Sequence, residues 1–104
     1  MANYVFAYSG GNGVSADEAE RNAQFAKWGQ WFQDLGPAIV DGGAPTGTAK
    51  TVSTGGSVSD GGSRGLTGYS IVAADSIDAA VELAKGCPVL ETGGAVDVYE
   101  AITM

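Results

Sequence analysis

The chain has 104 residues, 17 of them glycine, with 12 acids against five bases, no histidine and one cysteine. That length predicts one domain with a modest core, because alanine makes up much of the 44% hydrophobic content. The net charge of −7, with bases scattered at Arg21, Lys27, Lys50, Arg64 and Lys85, excludes the positive stripe that nucleic acid requires and disfavours an anionic membrane surface.

Residues 3–9 read as a strand, with Tyr4, Phe6 and Tyr8 on one face and Val5 and Ala7 on the other. Gly10-Gly11-Asn12-Gly13 breaks it. A helix is predicted over 16–35, opened by a Ser15/Glu18 capping box and by acids that complement its dipole. Ala23, Phe25, Trp28, Trp31, Phe32 and Leu35 form its apolar face, and Gly36-Pro37 stops it. Residues 38–41 make a short apolar strand. The stretch 42–68 holds nine glycines, and a ragged hairpin of 49–53 with 57–59 around Thr54-Gly55-Gly56 is the expectation there. A strand over 69–74, a helix over 77–85 capped by Asp75 or Ser76, and a last strand over 95–102 complete the chain. Ile77, Ala80, Val81 and Ala84 give the second helix its stripe, and Gly86 ends it. On the last strand Val96, Val98 and Ile102 oppose Tyr99 and Ala101.

Strand, helix, strand, strand, helix, strand suggests an α+β fold, a ferredoxin-like βαββαβ sandwich forming a single domain over 1–104. Helices cover only one sheet face. The other face still carries apolar residues, either the aromatic or the Val5 set of the first strand with Tyr99 and Ala101, which predicts a homodimer burying sheet against sheet. The chain has no apolar run near the length of a membrane span and no leader-like start, and Cys87 has no partner for an internal disulfide, so a cytoplasmic location is expected.

The C-terminal third carries a further pattern. Gly68-Tyr69-Ser70-Ile71-Val72-Ala73-Ala74-Asp75-Ser76-Ile77-Asp78-Ala79-Ala80 leads into Ala84-Lys85-Gly86-Cys87-Pro88, then Glu91, Gly93-Gly94 and Val96-Asp97-Val98. Together with Trp28-x-x-Trp31 and Val40-Asp41-Gly42-Gly43, this resembles the YCII-related family in its DGPF-type branch. Asp60-Gly61-Gly62-Ser63 stands where the DGPF tetrapeptide would be and keeps its first two residues. The resemblance implies a ferredoxin-like fold paired into a dimeric α+β barrel. Some YCII-type relatives carry a His–Asp pair proposed as catalytic. The position nearest that His is around Lys27-Trp28 here, and the chain has no histidine. Asp41 lies near the matching strand and is the remaining candidate.

Read from the residues alone, each candidate has a structural alternative. Gly10-Gly11-Asn12-Gly13 lacks phosphate-loop spacing and precedes acids, so it reads as a connection. Trp28 and Trp31 serve either as core or as the wall of an apolar pocket, and their spacing of three allows one of each. Asp41 is either a proton-transfer base or a turn aspartate. Asp60-Gly61 reads as a turn, Cys87 as core, and Tyr4, Tyr8, Tyr69 and Tyr99 as packing or as hydroxyls for a ligand. No nucleophile–histidine pair, cofactor motif, zinc-ligand set or EF-hand spacing is present; carboxylate-bound Mg²⁺ or Ca²⁺ stays open, although Asp97 and Glu100 fall on opposite strand faces. The expectation is a homodimeric YCII-like binding module for a small apolar or aromatic ligand held by Trp28, Trp31, Asp41 and Tyr69. The alternatives are a cofactor-independent isomerase or lyase with Asp41 as base, and a structural partner protein without a pocket.

Overall fold

The computed structural model describes residues 1–11, 16–61 and 65–103. Strand β1 (Ala2–Ser9) leads to helix α1 (Glu18–Leu35), a 3-10 turn (Gly36–Ala38) and strand β2 (Ile39–Pro45). Strands β3 (Lys50–Val52) and β4 (Val58–Asp60) follow, then β5 (Leu66–Ala74), helix α2 (Ile77–Ala84), a second 3-10 turn (Pro88–Thr92) and β6 (Ala95–Glu100). The fold is α+β. One antiparallel sheet runs β2-β5-β1-β6, and β3-β4 form a separate two-stranded ribbon.

The alternation of β1 decides which face is covered. Tyr4, Phe6 and Tyr8 are buried, as are Ser70, Val72 and Ala74 of β5, which lie on the same side. The apolar stripe of α1 packs on them: the Trp31 ring stacks on Phe6 at 6.1 Å between centroids, and its indole N–H donates to the Leu83 carbonyl oxygen of α2 at 3.2 Å. Gly86 lies against that indole, where a Cβ would come within 3.2 Å of the ring. Both helices therefore share one sheet face. Val5, Ala7, Ile71, Ala73 and Tyr99 stand on the other face, which no element of the described residues covers.

Several expected boundaries shift for identifiable reasons. Asp17 caps α1, accepting from the Glu20 backbone N–H at 3.0 Å, whereas the predicted cap Ser15 lies outside the described residues. Ala23 and Phe25 are exposed, and the inward stripe runs through Gln24, Trp28, Trp31 and Leu35. Ser76 caps α2, accepting from Ala79 N–H at 3.1 Å, and α2 ends one residue before Lys85. Ala80 and Ala84 are buried, while Ile77 and Val81 sit at the edge of the stripe beside Leu90. Strand β6 stops at Glu100, which leaves Ile102 beyond the sheet.

The largest difference is in the glycine-rich middle. Strand β2 continues through Gly42-Gly43 to Pro45, with irregular register between Ile39 and Asp41 and again between Asp41 and Ala44. The ribbon pairs Lys50 with Asp60 and Val52 with Val58, and all its residues are exposed. It projects from the body: the radius of gyration is 14.9 Å, against about 13 Å for a compact domain of this length.

Candidate functional site

Towards the α1 N-terminal end the helix and sheet flank a half-open cavity of about 380 Å³. Its walls come from α1 (Phe25, Trp28, Phe32), from Tyr8 of β1 and Gly10-Gly11 just after it, from the bulged part of β2 and the start of β5, and from the second 3-10 turn. Five glycines line its floor: Gly10, Gly11, Gly42, Gly43 and Gly68. Gly43 needs to be glycine, because it has φ +76 and lies directly on the Tyr69 backbone carbonyl.

Trp28 is fixed by edge-on contacts to Tyr8, 5.0 Å away, and to Trp31, 5.6 Å away. Behind it runs a buried polar chain. The Tyr8 hydroxyl donates to Ser70 Oγ at 2.7 Å, and Ser70 Oγ donates to the Gly42 carbonyl oxygen at 2.7 Å. Ser70 is fully buried, and these bonds satisfy it. Burial pushes the Tyr8 hydroxyl pKa well above its ordinary value. At the mouth Lys27 pairs with Glu91 at 3.2 Å.

No protein-family model, curated protein or solved structure matches this chain.

The structure separates the four expected site residues. Trp28 lines the cavity. Trp31 is core, 5% exposed. Tyr69 borders the cavity, but the alternation of β5, with Gly68 and Ser70 buried, puts its side chain on the open face. Asp41 lies outside the lining and accepts from the Gly43 backbone N–H at 2.8 Å, as a turn aspartate does. The sequence reading missed Ser70 and undervalued Tyr8. The signal was there: a serine among the inward positions of β5, opposite an aromatic strand, needs a partner for its hydroxyl.

Other candidates lie apart. Cys87 is buried next to the second 3-10 turn, and burial pushes its thiol up to about 11, which suits packing rather than nucleophilic chemistry. Asp60 pairs with Lys50 at 2.6 Å on the exposed ribbon. Arg64, Asn12-Gly13 and the Gly62-Ser63 half of the DGPF-like tetrapeptide lie outside the described residues. Among the described residues, no three of His, Cys, Asp and Glu converge as metal ligands, and no helix is long and apolar enough to cross a membrane.

Proposed function

We propose that the protein is a binding module for a small, largely apolar ligand. The observation that carries this reading is the half-open cavity beside Trp28. Its size falls in the range of small-molecule sites, and its lining is aromatic and aliphatic with a few polar groups. The residue pattern over 68–98 supports a YCII-like protein. The strand order β2-β5-β1-β6, with both helices on one face, fits a ferredoxin-like sandwich. The alternative with Asp41 as base is less well supported, since Asp41 accepts from Gly43 N–H outside the cavity.

A homodimer is part of the same reading. Four strands of about seven residues offer roughly 450 Å² of projected face per copy. Two such faces approach the ~1,000 Å² of a specific interface, and Val5, Ile71 and Tyr99 make this one apolar.

The test uses the two tryptophans, whose indole N–H groups give two resolvable NMR resonances in ¹⁵N-labelled protein. Indole added as a probe is expected to shift the Trp28 resonance saturably, with Kd on the order of 1 mM or tighter, and to move Trp31 much less. Trp28→Ala is expected to weaken that binding several-fold, followed on the cavity-floor backbone amides. A non-saturating response, or one equal at both tryptophans, overturns the binding-module reading.

A further inference from the structure

The cavity wall has a fixed hydrogen-bond polarity, and that polarity bears on the ligand. A carbonyl oxygen only accepts, so the single Ser70 proton is committed to the Gly42 oxygen. Ser70 Oγ can then only accept from Tyr8, which commits the Tyr8 proton as well. Tyr8, Ser70 and Gly42 all line the cavity. Ser70 is itself fully buried, so the chain offers the cavity the Tyr8 hydroxyl oxygen and the Gly42 carbonyl oxygen, as lone pairs with no free O–H. A ligand group that only accepts hydrogen bonds would meet lone pairs there, whereas an O–H or N–H group would meet an acceptor.

Charge narrows the class further. Among the described lining residues the charged side chains are Lys27 and Glu91, and they neutralise each other at the mouth. A charged ligand group placed deep against Tyr8 and Trp28 would be desolvated without a counter-ion, which is costly. Aromatic faces line the sides at Trp28, Phe25 and Phe32.

We propose that the cavity takes an uncharged aromatic ligand that donates one hydrogen bond to the Tyr8–Ser70–Gly42 chain. This rests on the binding-module reading above and goes further in assigning polarity and charge. Tyr8 is an anchoring residue in this scheme and transfers no proton.

The experiment compares four two-ring probes by the same Trp28 resonance. Indole carries a donor, 1-methylindole lacks it, isoquinoline near pH 7.5 is a neutral acceptor, and indole-3-carboxylate is an anion. Indole is expected to bind on the order of tenfold tighter than 1-methylindole and isoquinoline, with the carboxylate weakest. In Ser70→Ala the Tyr8 hydroxyl loses its acceptor and turns free to donate, so isoquinoline is expected to gain on indole. Equal binding of indole and its methylated form, or tighter binding of isoquinoline or the anion, overturns the proposal while leaving the binding module standing. Failure of all four probes to bind overturns both. Should Ser70→Ala not fold, the wild-type comparison alone decides.

Discussion

Replacing Gly43 by alanine tests the architecture of the cavity floor. A Cβ at this position would fall on the Tyr69 carbonyl oxygen, 2.6 Å from the carbonyl carbon and 3.2 Å from Ser70 Cα. These are backbone atoms of β5, which is paired on its other side to β1 and cannot withdraw. Strand β2 would have to lift instead, loosening the bond from Ser70 Oγ to the Gly42 oxygen. An alanine at φ +76 costs about 1 kcal/mol on its own. Relieving the overlap costs about 1–3 kcal/mol more, as in other overpacked sites. The expected loss is about 2–4 kcal/mol. Gly42→Ala is the internal control: its φ is not positive and nothing lies within 4 Å of the added Cβ. It should change stability by less than about 1 kcal/mol. Urea unfolding followed by tryptophan fluorescence separates the two, and thermal melting should show Gly43→Ala lower by more than about 8 °C. Equal midpoints for the two variants, within about 0.5 kcal/mol, would refute the close approach of β2 to β5.

Two further outcomes are expected. Burial raises the Cys87 thiol from 9.0 to about 11, so the unfolded chain loses this proton first as pH rises. The thiol's contribution to stability is therefore complete below about pH 9 and declines between 9 and 11. Urea midpoints measured across that interval should fall more steeply in the wild type than in Cys87→Ala, and parallel slopes would dismiss the burial. Asp41→Asn should leave indole affinity unchanged within about twofold, because the amide oxygen can still accept from Gly43 N–H and the side chain is outside the cavity. A fivefold loss in the same NMR titration would return Asp41 to the site.

The element order was legible because periodicity is strong where it matters. Tyr4, Phe6 and Tyr8 alternate cleanly, and Trp28, Trp31 and Leu35 recur at helical spacing. Which side of β1 faces the helices was not legible, since Val5 and Ala7 are apolar too. The choice comes from partners distant in the chain: Phe6 stacks on Trp31, and the Tyr8 hydroxyl finds Ser70. Asp41-Gly42-Gly43 carries a genuine turn signal, and the Asp41 carboxylate does bind the Gly43 N–H. Yet the chain runs on as a bulged strand, because pairing with β5 outweighs the local preference for a turn. The two tryptophans illustrate the same limit. Their spacing splits them between core and rim, but the contact of Gly86 with the Trp31 indole settles which is which.

The glycines connect these observations. A chain this short and rich in alanine has little bulk with which to build a core, and it concentrates that bulk in one aromatic wedge. Trp31 and Leu35 close the C-terminal half of α1 on the sheet. Trp28, braced on Tyr8, holds the N-terminal half away from a floor of Gly10, Gly11, Gly42, Gly43 and Gly68. The cavity thus lies between large side chains on the helix and a glycine-rich stretch of the sheet and its loops. Besides Gly43, an added side chain would meet close neighbours at two more floor positions: at Gly68 a Cβ would lie 3.1 Å from the Ala44 oxygen, and at Gly11 it would lie 2.8 Å from Thr92 Oγ1. The same glycines that thin the core therefore shape the site, and their placement ties the stability of β2 to the shape of the pocket.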